Sequence, residues 1–130
     1  MKKQKVFKQV AQHLLTQDER CEGVKDGHDG CFYRHPEAAL KCAIGCLISD
    51  EFYHEDLEAK DVTHDYVIEA LQDSLKQTIT SSDTSLLEDL QKIHDDVIEG
   101  DWGKELGKLA KKHFNKDLID MKVIPLTSSS

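Results

Sequence analysis

The chain has 130 residues, with 17 Lys+Arg against 25 Asp+Glu and a formal net charge of −8. That length fits one domain with its own core, and no apolar run approaches the ~20 residues of a membrane span. The Lys-rich start, Met1 to Lys8, leads into no unbroken apolar stretch and does not read as a secretory signal, and an anionic surface forgoes the counterion release that drives binding to duplex nucleic acid.

These features predict a cytoplasmic protein with one globular domain over 1–126 and a frayed tail at 127–130. The charge is unevenly placed. Residues 1–17 carry +4, residues 18–101 carry −15 and residues 102–130 carry +3. The acids are densest along Asp50, Glu51, Glu55, Asp56, Glu58, Asp61 and Asp65, where Lys60 is the only base. Such a field steers cationic partners and repels nucleic acid.

Val6, Phe7, Val10, Ala11, Leu14 and Leu15 recur at three- and four-residue spacing, which predicts a helix that stops near Thr16 or Gln17. Residues 18–30, DERCEGVKDGHDG, show no periodicity and read as a loop. Cys31 to Arg34 reads as a short strand. After it, two arrangements are open. Pro36 could start a helix running to about Ile48. Alternatively, 35–39 turns, Lys41 to Ile44 returns as a second strand, and Gly45 opens a short helix. Both bury Cys42 and Ile44.

A helix over about 63–77 would bury Val67, Ile68, Leu71 and Leu75. Residues 78–84 read as a polar break, after which Ser85 and Glu88 form a capping-box pattern. The helix it opens would bury Leu86, Leu90, Ile93 and Val97 and end at Gly100. Asp101 would cap a last helix with Trp102, Leu106, Leu109, Ala110 and His113 on one side. Residues 118–124 alternate imperfectly and could be a strand. The fold class expected is α+β, mostly helical: four or five helices with a short two- or three-stranded element near 31–45.

Three constellations could carry chemistry. Cysteines at 21, 31, 42 and 46 contain no C-x2-C knuckle, although His28 and His35 lie near enough in sequence to complete a zinc set. Packed thiols fit the apolar setting of Cys42 and Cys46 better. His64 and His94-Asp95, with Asp101, could imitate the metal site of a helical phosphohydrolase. Tyr33, Arg34 and Lys41 form a cationic spot suited to a small anionic nucleotide. Walker, G-x-G-x-x-G, H-E-x-x-H and G-x-S-x-G motifs are absent from the sequence. No cofactor, metal or catalytic residue is therefore assigned.

The run CFYRHPEAALKCAIGCLISDEFY, from Cys31 to Tyr53, resembles the signature of a family of small phage, prophage and bacterial proteins: C-x-Y-R, a short turn, then K-C-A-x-G-C/A-L-I-P-D-E-x-Y, and later L-Q-x-I-H-D and a Trp. The chain matches through Tyr33, Arg34, Lys41, Cys42, Ala43, Gly45, Asp50, Glu51 and Tyr53, and farther on through Leu90, Gln91, Ile93, His94, Asp95 and Trp102. Ser49 replaces the Pro, and Pro36 to Ala39 replace a Gly-containing turn. The resemblance implies the hairpin alternative and a small accessory protein of phage or mobile-element type.

Together these readings predict a non-enzymatic protein that blocks or sequesters a host defence factor. An acidic surface including Glu51, Glu55, Asp56 and Glu58 would meet a basic surface on that partner. The alternatives are a sponge for an anionic nucleotide held by Tyr33, Arg34 and Lys41, and a metal-dependent phosphohydrolase. Duplex nucleic acid and membranes are not expected partners, and self-association is left open.

Overall fold

The computed structural model describes residues 1–25 and 27–115. Among them, four α-helices and a two-stranded antiparallel sheet make a small, mostly helical α+β domain. Helix α1 (Lys3–Gln17) buries Val6, Phe7, Val10, Ala11 and Leu14 along one stripe. Asp18 ends it in the left-handed region, at φ 50°, where its N–H reaches the Leu14 carbonyl.

The segment expected to be a loop instead holds a hairpin: β1 (Glu22–Lys25) pairs with β2 (His28–Cys31), Glu22 opposite Cys31 and Gly23 opposite Gly30. Gly27 supplies the reversal at φ 80°, a conformation that costs glycine little. The strands pair through backbone groups rather than an apolar face, with Val24 more than half exposed, so they leave no alternating pattern to read. The β element thus lies earlier than 31–45. Within 31–45 the remaining pairing is a single antiparallel bridge between Arg34 and Lys41.

That bridge decides between the two arrangements after Pro36. Residues 36–39 bend, Lys41 returns beside Arg34, and a single tight helical turn spans Gly45–Leu47. Cys42 and Ile44 are both fully buried.

Helix α2 (Asp65–Leu75) buries Val67, Ala70 and Leu71, and His64 caps it by accepting the Tyr66 N–H. Helix α3 (Ser81–Asp96) begins four residues before the expected box. Thr80 accepts from the Asp83 N–H, and Asp83 accepts from the Thr80 N–H. Asp83 wins the role because it is also held in space. Its carboxylate lies 3.2 Å from the Met1 ammonium and 3.9 Å from Lys3 Nζ.

At its other end α3 stops at Asp96, not at Gly100. Arg20 Nε donates to the His94 carbonyl, while Arg20 Nη2 and Trp102 Nε1 donate to that of Val97. These satisfy groups a helix end leaves open. Gly100 lies inside a short turn at Glu99–Asp101. Helix α4 (Trp102–Phe114) follows directly, with no side-chain bond from Asp101 capping it.

Helices α1, α3 and α4 pack mutually, and the Gly45–Leu47 turn joins α1 to α2. Trp102, Phe7, Leu14, Leu86, Leu90 and Leu106 are among the largest side chains sealed in that core. No helix among the described residues is long and apolar enough to cross a membrane. The strand expected at 118–124, the domain boundary at 126 and the tail at 127–130 lie outside the described residues.

Two carboxylates staple this frame. Burial pushes Asp83 upward, but Thr80 and the Met1 ammonium outweigh it and hold the group below its ordinary 3.8. Burial likewise pushes Asp89 upward, but His113 and Lys112, each 2.9 Å away, outweigh it and hold the group below its ordinary 3.8. A depressed folded-state pKa gives stability that is complete above the unfolded value and is lost as pH falls through the folded one. Urea midpoints should therefore decline below about pH 4. The Asp83→Asn/Asp89→Asn double variant should lose less between pH 5 and pH 2; an unchanged acid slope would refute the assignment.

Candidate functional site

The residues of the Cys31–Tyr53 run converge on one carboxylate. Glu58 Oε1 accepts the Tyr33 N–H at 2.8 Å; Glu58 Oε2 accepts the Arg34 N–H at 3.1 Å and the Tyr53 hydroxyl at 2.6 Å. Charge-assisted bonds of this kind are the strong class. Glu58 therefore faces inward and ties the 33–34 segment to the loop that carries the acids. Glu58→Ala would strand two backbone donors and a phenol, at a cost of about 2–3 kcal/mol. Urea denaturation checks this, and a loss below about 0.5 kcal/mol, the size of an ordinary surface substitution, would refute it.

Arg34 is equally committed. Its Nη1 lies 2.8 Å from Asp50 Oδ1, its Nη2 donates to the Ile48 carbonyl at 2.8 Å, and its guanidinium sits 4.4 Å from the Tyr53 ring centre. Only Nε is buried without a hydrogen bond among the described residues.

Tyr33 is 6% exposed and its hydroxyl donates to the Lys60 carbonyl, so its ring is core rather than a stacking face. Lys41 lies beside Arg34 through the backbone bridge. Its carbonyl accepts from His13 and Gln17, and its N–H donates to Gln17. The fold brings Tyr33, Arg34 and Lys41 together as a clamp on the chain itself.

A second convergence involves the potential metal ligands. Among the described residues, Cys31, His94 and Asp95 place ligand atoms within 4.8 Å of one another, and the group includes neither His64, Asp101, Cys42 nor Cys46. His64 is exposed and spent on capping α2. His94 is fully buried, and both ring nitrogens are used. Nε2 must accept, because its partner is the Cys21 N–H at 2.9 Å, so Nδ1 carries the proton and donates to Asp95 at 2.7 Å. No lone pair is left for a metal.

The thiols are not activated either. Burial, then the Asp95 carboxylate, pushes Cys31 up to about 12. Burial alone dominates in Cys46, at about 12, and in Cys42, also well raised. All four cysteines are free thiols, and a protonated thiol is a poor nucleophile and ligand.

What remains open to solvent is the acidic face. Nine acids stand between positions 50 and 73 with Lys60 as the sole base. Asp50 and Asp56 have side chains 88% and 76% exposed, and Glu51, Glu55, Asp61, Asp65, Glu69 and Asp73 are exposed as well. Of the four acids expected to meet a partner, Glu51, Glu55 and Asp56 are exposed, and Glu58 is half-buried with both carboxylate oxygens engaged. Sequence reasoning stopped the acidic run at Asp65 and missed Glu69 and Asp73. Their signal was the four-residue spacing from Asp65, which sets all three on one side of a helix.

Comparison with family models, curated proteins and solved structures found no match to this chain.

Proposed function

We propose that this chain is a non-enzymatic binding protein, encoded by a phage or mobile element, whose acidic face occupies a basic surface on a host defence protein. The observation that carries the reading is the exposed carboxylates of the 50–73 region, offset there by a single lysine. A field of one sign gives specificity and a fast encounter with the opposite sign. The family resemblance in the Cys31–Tyr53 run supports the biological setting. The commitment of both His94 nitrogens and the raised thiols favour binding over catalysis. The nucleotide alternative has less support, because the Tyr33 ring is buried and the Arg34 fork already holds Asp50 and Ile48.

The test is affinity capture from host lysate with the wild-type chain and a Glu51→Lys/Glu55→Lys/Asp56→Lys variant. The wild type should retain a specific protein at about 0.05 M salt and release it as screening shortens toward ~8 Å near 0.15 M and below that at higher salt. The charge-reversed chain should retain none. Capture of no protein, or of one insensitive to both salt and charge reversal, would overturn the proposal.

A further inference from the structure

The acidic face is not uniform. Between the loop after Ser49 and the first turns of α2 it opens into a groove of about 330 Å³. Phe52, Tyr66 and the buried Leu57 and Ala70 supply apolar lining, Asp56, Glu69 and Asp73 supply carboxylates, and His54 stands 3.4 Å from Asp56. Tyr66 is 57% exposed there, one of the few large hydrophobic side chains the described surface shows to water.

The two rings already sit under cations of the chain itself. Lys60 Nζ lies 5.7 Å from the Tyr66 ring centre, and Lys76 Nζ lies 5.3 Å from that of Phe52. Aromatic faces flanked by carboxylates are the surroundings in which a cation is held by ring and charge together.

Resting on the proposed function, we infer that this groove is where the partner is anchored, and that its occupant is an arginine side chain from a basic protein segment. A guanidinium is planar and weakly hydrated, so it stacks on a tyrosine and still presents N–H donors to carboxylates. Glu69 and Asp73 stand three and seven residues after Tyr66 on the same helix, on the side toward which such donors would point. An anionic ligand would meet three carboxylates against the two lysines over the rings, and an uncharged apolar one would leave those carboxylates desolvated without partners. The charge of the lining therefore selects the occupant. The rest of the acidic face steers the encounter, and the groove supplies its fixed point.

The probe is a fluorescein-labelled eight-residue peptide of alternating arginine and glycine, titrated at about 0.05 M salt. Wild-type protein should bind it saturably. Tyr66→Ala, which changes no charge, should weaken binding by at least about fivefold. Tyr66→Phe should bind like wild type, since the ring face and not the hydroxyl holds the cation. Glu37→Gln, an exposed acid of the 36–39 bend that does not line the groove, should change affinity by less than about twofold, as expected of a peripheral charge. Far-ultraviolet circular dichroism checks that each variant keeps its helices.

If Tyr66→Ala binds like wild type while Glu51→Gln and Glu69→Gln weaken binding equally, the groove assignment is overturned and the acidic-face reading stands. If wild type fails to bind the peptide at all, both are overturned. Self-association of the wild type that is abolished by Tyr66→Ala, seen by sedimentation, would assign the groove to a second copy instead.

Discussion

Gly45→Ala should be the most damaging alanine substitution among the glycines of this chain. A Cβ built there would lie 1.9 Å from the Tyr33 carbonyl oxygen and 2.7 Å from its carbon. The obstacle is backbone, so no rotamer change relieves it. Nor is Tyr33 free to retreat. Its carbonyl accepts the Cys42 N–H at 3.1 Å, its N–H is held by Glu58, and its hydroxyl is held by the Lys60 carbonyl.

Overpacking a core by a few atoms commonly costs 1–3 kcal/mol. Here the shift would also open the Glu58 bonds, so the expected loss is about 3 kcal/mol or more. In a chain of this length that lowers the melting temperature by roughly 10 °C. Gly107→Ala is the control. It lies inside α4 with nothing within 4 Å of an added Cβ, and should raise stability by about 0.5–1 kcal/mol. Equal melting temperatures for wild type and Gly45→Ala would show that the close approach does not exist.

His94→Ala ranks second. The ring is sealed in the core, stacked at 5.7 Å and 28° on Trp102, and it joins the start of the hairpin segment to α3 through the Cys21 N–H. Alanine would leave a cavity beside Trp102 and an unpaired buried amide at once. Removing a large buried side chain costs about 2–5 kcal/mol and an unsatisfied donor about 1–3, with overlap between the two. A net loss of about 3–4 kcal/mol in urea denaturation is expected. Hydrogen exchange gives the sharper readout, because the Cys21 amide should lose protection beyond what global destabilisation explains. Protection at Cys21 that merely tracks the global change would mean the amide does not depend on this ring.

The unevenness of what could be read in advance has physical causes. The apolar stripes of α1, α2 and α4 are local patterns of period 3.6, and each placed its helix to within a few residues. The return of Lys41 beside Arg34 and the short helical turn at Gly45 were legible as one of two alternatives. The choice between them rests on contacts with Gln17 and Glu58, residues about 24 positions away in sequence.

The hairpin at 22–31 left no trace, since its pairing is between backbone groups and its side chains do not alternate. The start of α3 was ambiguous for a different reason. TITSSDTSLLE contains two capping patterns, Thr80 with Asp83 and Ser85 with Glu88, and only the Met1 ammonium and Lys3 in space favour the first. Glu58 reads in the sequence as one more surface acid, because nothing beside it shows that Tyr33 and Arg34 will present their N–H groups to it. The clustering of acids was visible along the chain. The groove among them was not, because it forms only when the fold brings Phe52 and Tyr66, fourteen positions apart in sequence, to line one cavity.

The Glu58 junction also bears on how tightly the acidic face could hold anything. Asp50 and Glu51 stand on irregular chain and Glu55 and Asp56 on a single helical turn at Glu55–Leu57, and chain of this kind ordinarily has to surrender conformational freedom when a partner arrives. Here that freedom is already spent. Arg34 grips Ile48 and Asp50 at one end of the stretch, Glu58 grips Tyr53 and the 33–34 backbone at the other, and Leu57 is buried between them. The entropy was surrendered when the chain folded, so association is charged little for it a second time. On the proposed function, a stretch with only one short helical turn thereby meets its partner as a rigid template, and its affinity should change more with the integrity of Glu58 than with any single carboxylate on its rim.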